Sequence, residues 1–204
     1  LAMRRDMCEL IKRAYSNQLF TSSQGTFSCR VGENRFLITP YAKDRDYLEP
    51  EDLVLIENGK REAGKVPSRS VKLHSEIYRQ HPDIKTVIVA HPPHIMAFAV
   101  TDQEFDARLI PESYLQLRTV QKYPFGSTFM EAEELAAKLS MDNPVAIIEN
   151  DCVITTGTSL INAFDKLEVM EYSAKSVIMT HNVGQIVRIT DEEVDEIEVA
   201  FGLK

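Results

Sequence analysis

A chain of 204 residues that is 44% hydrophobic and 26% charged has the make-up of a globular protein with ample material for a core. A net charge of −8 and a pI near 5.2 argue against a general nucleic-acid binder, and no apolar run approaches the ~18 residues of a membrane helix, so neither nucleic acid nor membrane is expected as a partner. The three cysteines, Cys8, Cys29 and Cys152, form no CxxC pair and no disulfide framework, which fits a reduced, cytoplasmic compartment.

The N-terminal stretch LAMRRDMCELIKR is too polar for a signal peptide and begins with Leu1, so residues upstream could be missing. Met3, Met7, Leu10, Ile11 and Ala14 recur at helical spacing and predict a helix over 2–17. A Ser/Gly turn at 21–25 leads into a strand with Phe27, Cys29 and Val31 on one face. A second strand is expected over RFLITP (35–40) and a third over 50–60, ending in the Asn58-Gly59 turn, which together read as an antiparallel meander.

Val71, His74, Ile77 and Tyr78 then share one helical face, with Ser68 or Ser70 as cap and Pro82 as stop. TVIVAH (86–91) reads as a buried strand, and Pro92-Pro93 open a helix. A short helix at 111–117, an irregular stretch at 120–127 and a helix at 131–140 follow. Strands over 144–150 and 152–157 place Asp151 at the corner between them. The longest helix spans 159–181, QIVRIT (185–190) reads as a last strand, and Asp191 is expected to cap a final acidic helix. With no linker or repeat, residues 1–204 are expected to form a single three-layer α/β domain, a mostly antiparallel sheet flanked by helices.

Three stretches resemble the class II aldolase/adducin family: GTFSCRVGENRFLITP (25–40), KVPSRSVKLHSEIYRQHPDIKTVIVAHPPHIMAFAV (65–100) and VAIIENDCVITTGTSLINAF (145–164). The phrase LHSEIYRQHPDIKTVIVAHPP carries most of the specificity. The resemblance implies an enzyme that cleaves a ketose phosphate with a zinc ion as electrophile, three histidine ligands and a glutamate acid/base. It also implies a homo-oligomer, usually a cyclic tetramer.

Carried over residue by residue, the pattern fails at several places. The family's His-x-His pair falls on Val89 and His91, and Val89 has no donor. Asp151 stands at the third ligand and Cys152 at the glycine after it. Ser70 stands at the glutamate, and a hydroxyl without an activating base is no proton shuttle near neutral pH. Gly25, Thr26, Thr39, Ser68 and Arg69 fall on phosphate-binding positions, with Thr26 replacing an Asn and Ala42 a Gly. Tyr114 and Phe125 match residues on the substrate side.

Two readings of His91 stay open, a metal ligand or a histidine satisfied by solvent and core. His94 is either a first-turn helix residue or a member of a shifted ligand set with His91 and Asp151. Cys152 is packing or a soft ligand, Arg69 a solvated residue or an anion clamp, and His74 a structural residue of its helix.

The coordinated departures point to a degenerate member with a ligand-binding or assembly role, binding a small sugar phosphate or another anion. Zinc or another divalent metal, implied by resemblance, is then expected to be absent or weakly held. The alternatives are an active metal-dependent lyase with a remodelled site and an adducin-like structural module.

Overall fold

In the computed structural model, which describes residues 1–204, the chain opens with α1 (Ala2–Ser16), whose Met7, Cys8, Ile11 and Ala14 are buried along one stripe. β1 (Thr26–Gly32) and β2 (Arg35–Ile38) form a hairpin that turns at Asn34, in the left-handed region at φ +53°. β3 (Val54–Glu57) and β4 (Lys60–Arg61) are joined by Asn58 and Gly59, both at positive φ, the arrangement a two-residue hairpin favours.

The remaining elements are α2 (Val71–Gln80), β5 (Thr86–Ala90), α3 (Pro93–Ala99), α4 (Pro111–Leu117), β6 (Gln121–Tyr123), α5 (Ala132–Lys138), β7 (Val145–Ile148), β8 (Cys152–Gly157), α6 (Leu160–Met179) and α7 (Asp191–Ala200). The eight strands form one sheet in the order β4-β3-β2-β1-β5-β8-β7-β6, antiparallel throughout except for β6 on β7.

Strand alternation divides the core in two. Phe27, Cys29, Ile88, Ala90 and Val153 face the layer of α1, α3 and α6. Val87, Val89, Cys152 and Ile154 face the layer of α2 and α5. The result is the expected single three-layer domain. No helix is long and apolar enough to cross a membrane.

Turn chemistry sets the ends that matter for the site. Gly157 closes β8 against α6, where a Cβ would lie 2.5 Å from the Ala163 nitrogen. Ser159 then caps α6 by accepting from the Asn162 N–H. The β7–β8 hairpin turns at Asn150, again at positive φ, and leaves Asp151 beside the strand end.

Four local expectations are corrected. QIVRIT is extended but joins no strand; the Ile189 N–H reaches only the Arg108 carbonyl and Val187 is 88% exposed, so its alternation had no sheet edge to meet. The stretch expected to be irregular contains β6, a short parallel edge. The third strand is confined to Val54–Glu57, because Pro50–Asp52 forms a 3-10 turn. Thr190, not Asp191, caps α7, in a reciprocal box with Glu193.

Candidate functional site

The C-terminal end of β5 meets the start of β1 and the β7–β8 corner on the α2 side of the sheet. There a polar cavity of about 170 Å³ is lined by Thr26, Ser68, Arg69, Ser70, Val89, His91, Thr128, Asp151 and Cys152, among others. A second lobe of about 210 Å³ shares Gln24, Gly25, Thr26, Ser68 and Arg69 with it and extends to Tyr41, Ala42 and Arg45. A larger groove of about 670 Å³ lies at the other end of β1 and β5, between α1 and the start of α6, and holds none of the candidate residues.

Two loops wall the second lobe. Residues 39–41 pair with 66–68 through Ser68 N–H to Thr39 O, Tyr41 N–H to Val66 O and a bridge of Pro40 with Pro67. Gly25 sits at φ +103°, and a Cβ there would enter the Phe20 ring, so this turn requires glycine. The Thr26 and Ser68 hydroxyls bond to each other at 2.6 Å. Ala42 holds φ +55°, a conformation disfavoured for a residue with a Cβ. Arg69 stacks on Tyr41 at 4.9 Å from the ring centroid and donates to its hydroxyl.

His91 lies one residue past the end of β5 and two after Val89, and both border the same cavity. Burial lowers the His91 pKa and the Asp151 carboxylate opposes it, leaving a neutral imidazole near neutral pH. Asp151 accepts from the Thr128 hydroxyl. Ser70 occupies the N-cap position of α2, but makes no cap bond; its Oγ is buried without a partner. Behind this wall, the Ser28 hydroxyl lies 2.5 Å from His74 Nδ1 and 2.6 Å from the Tyr78 hydroxyl. His74 is fully buried, which depresses its pKa to about 3.

Of the residues expected from sequence, Gly25, Thr26, Ser68, Arg69, Ser70, His91 and Asp151 border this two-lobed cavity. Four do not. His94 turns to α6, where its Nδ1 meets Glu171 Oε2 at 2.8 Å, so the shifted set of His91, His94 and Asp151 does not form. Tyr114 donates its hydroxyl to Glu198 of α7 at 2.6 Å. Thr39 is fully buried with its hydroxyl on the Phe27 N–H. Phe125 is 61% exposed and packs edge-on against Phe129, outside the cavity. Arg45 and Thr128 also border the cavity without a local mark in the sequence: one lies in a charged loop, the other between the irregular stretch at 120–127 and the helix at 131–140.

The donor set does not fit a three-ligand metal centre. His91 and Asp151 supply an imidazole and a carboxylate, and Val89 supplies nothing. Cys152 is 1% exposed, and burial, with Asp151 adding to it, holds its thiol protonated. No three His, Cys, Asp or Glu side chains converge to hold an ion.

Residues 5–178 match the family described as Class II Aldolase and Adducin N-terminal domain. The chain is similar to a 3-oxo-tetronate 4-phosphate decarboxylase of Haemophilus influenzae, 27% identical over 97% of each chain. It is also similar to L-fuculose phosphate aldolase of Methanococcus vannielii, 30% identical over 83% of this chain and 90% of that one. Among solved structures it is similar in fold to YgbL of Escherichia coli (TM-score 0.88, 22% identity, covering 96% of this chain and 97% of that one). It likewise resembles the L-fuculose-1-phosphate aldolase of Thermus thermophilus (TM-score 0.75, 21% identity, 89% and 96% covered).

Proposed function

The chain belongs to the class II aldolase and adducin family, and from that premise we propose that it binds a small phosphorylated or otherwise anionic ligand without cleaving it by the family's metal-dependent route. The observation that carries this reading is the donor set around His91. A retro-aldol step needs an electrophile at the carbonyl and a base at the hydroxyl. Here Val89 brings a hydrocarbon to the electrophile's side, and Ser70 brings an unactivated hydroxyl to the base's.

The cavity keeps what binding requires. Arg69 offers a planar, charged donor, the paired Thr26 and Ser68 hydroxyls offer exchangeable donors, and the neutral His91 ring can donate to or accept from a ligand oxygen. Asp151, held by Thr128, suits a ligand hydroxyl. Phe125, Phe129 and Met130, all exposed beside Thr128, support assembly with a second copy near the mouth; the tetramer is the form the family resemblance suggests.

A second reading, a lyase with a remodelled site, is favoured by one observation: His91 and Asp151 border the same cavity. Metal content and turnover separate the two. Protein purified without chelator and then dialysed against excess zinc is expected to hold only substoichiometric metal, to be stabilised thermally by L-fuculose phosphate or glycerol 3-phosphate, and to cleave neither 3-oxo-tetronate 4-phosphate nor fuculose phosphate above background. About one zinc per chain with turnover that His91→Ala abolishes would establish the lyase instead. Absence of both metal and ligand binding would leave the structural module.

A further inference from the structure

At the opposite end of β1 and α2 from the cavity lies a separate polar pocket of about 210 Å³. It is walled by the C-terminal half of α2 and by the β1–β2 and β3–β4 turns, which the Asn58 N–H ties together by donating to the Asn34 carbonyl at 2.9 Å. Thr26 borders the cavity and Arg30 borders this pocket, and their separation along one strand is about 13 Å. No residue lines both hollows.

The pocket's lining carries three guanidiniums, Arg30, Arg35 and Arg79, the side-chain amides of Asn34 and Asn58, and no carboxylate. That is the reverse of the whole chain, in which 31 acidic residues outnumber 23 basic ones. Arg30 shares the α2 face of β1 with Ser28 by strand alternation. Its Nε donates to the Ile84 carbonyl at 3.2 Å, and its Nη2 to the Tyr78 and His81 carbonyls at 2.7 and 3.0 Å. The guanidinium also stacks 4.9 Å from the centre of the Tyr78 ring. These contacts close the end of α2 and fix the side chain, but they use only three of its five N–H donors. Both Nη1 donors are left without a partner in the chain, on an atom that is not buried. Arg35 pairs with Glu57 at 2.7 Å, and Arg79 with Glu76 at 2.7 Å and Glu133 at 3.6 Å. Both of these guanidiniums are exposed, so their pairs contribute little and exchange readily for a stronger partner.

We propose that this pocket is a second anion site, distinct from the cavity beside His91, which takes a phosphoryl group on Arg30, Arg35 and Arg79. A doubly charged oxyanion with several acceptor oxygens suits planar guanidinium forks, and the Asn34 and Asn58 amides add neutral donors. Arg30 is the fixed member, already oriented by α2 and Tyr78, and the two exposed arginines close on the ligand by leaving their carboxylates. The site stands whether or not the cavity binds an anion of its own.

The test is a titration of the intact, isotopically labelled protein at low salt with inorganic phosphate and, separately, glycerol 3-phosphate, against sodium chloride at matched ionic strength. The Nε–H resonances of Arg30, Arg35 and Arg79 and the Gly59 amide are expected to shift and saturate with one Kd in phosphate and not in chloride. Arg35→Gln and Arg79→Gln, both at exposed positions, are each expected to weaken that binding about tenfold or more. Glu57→Gln, which frees Arg35, is expected to tighten it about twofold to fivefold. Arg69→Gln, at the cavity, should leave this Kd unchanged. Tighter binding of glycerol 3-phosphate would identify the source as a small phosphate ester, and equal binding would identify the phosphoryl group alone; both support the proposal. Shifts that fail to saturate, that follow chloride equally, or that keep the same Kd in Arg35→Gln and Arg79→Gln would overturn it. Saturation confined to residues around His91 would also overturn it, while leaving the anion reading of the cavity intact.

Discussion

Acidification is expected to weaken the wild-type protein more than a His74→Gln variant, by about 2.5 kcal/mol between about pH 7 and pH 4.5. His74 is fully buried, its Nδ1 faces the Ser28 hydroxyl at 2.5 Å, and its Nε2 has no partner to stabilise a second proton. Burial holds its folded pKa at about 3, whereas an unfolded histidine titrates near 6.5. The folded pKa is the lower one, so the contribution is complete above the unfolded value and is lost as pH falls from there toward the folded value. The unfolded chain gains a proton that the folded chain refuses. At about pH 4.5 that difference is nearly two full pH intervals, each worth about 1.36 kcal/mol. Urea unfolding of both proteins at several pH values is the assay. Carboxylates such as Glu62 and Asp52, and His91, titrate in both proteins and cancel in the difference. Parallel pH profiles would refute the reasoning and mean that the folded protein accepts the proton at His74.

Ala42→Gly is expected to raise stability by about 0.5–1 kcal/mol, because the left-handed backbone at φ +55° disfavours a Cβ; a lower urea midpoint would show that the loop is not left-handed. Glu171→Ala is expected to cost about 2–3 kcal/mol, since its carboxylate accepts from the His94 and Ile95 N–H groups and from the His94 ring at the start of α3. It should also increase hydrogen exchange at those two amides, and unchanged exchange would count against the contact. Ser70→Ala is expected to change stability by less than about 0.5 kcal/mol, as its buried hydroxyl has no partner to lose. A larger destabilisation would mean that the hydroxyl is bonded in solution.

The fold was legible because its long-range layout follows local period. Short runs such as TVIVA and CVITTG became central strands buried at every position, and the helical stripes of 2–16 and 71–80 became their cover. QIVRIT misled because alternation says nothing of whether a strand edge is free. The site was half legible. His91 and Asp151 meet because strand pairing sets β5 beside β8, with Val89 opposite Ile154. His94 could not be placed from spacing: the two prolines bend the chain, and Glu171, distant in sequence, draws the ring to α6. Arg45 was invisible because its burial depends on carbonyls from Gly25 and Pro40, and nothing in a loop of charged residues distinguishes the one that turns inward.

On the proposed reading, the metal set fails at Val89 more than at Ser70 or Asp151. Asp151 can serve as a carboxylate ligand, and Thr128 already orients it. Ser70 concerns proton transfer and supplies no necessary ligand. Val89→His alone would therefore set two imidazoles two residues apart at the end of β5, across from a carboxylate, which is a complete three-ligand set for zinc. The added ring points toward a cavity of about 170 Å³, so overpacking should stay near the lower end of the usual 1–3 kcal/mol. At a zinc concentration about a hundred times the Kd, the variant should gain about 2.7 kcal/mol, or about 5–10 °C in Tm for a chain of this size, while the wild type should not respond. Adding Ser70→Glu should leave that shift nearly unchanged and affect only turnover. If Val89→His folds but shows no zinc-dependent shift, and Asp151→His added to it does not rescue binding, then the His91 and Asp151 side chains do not converge.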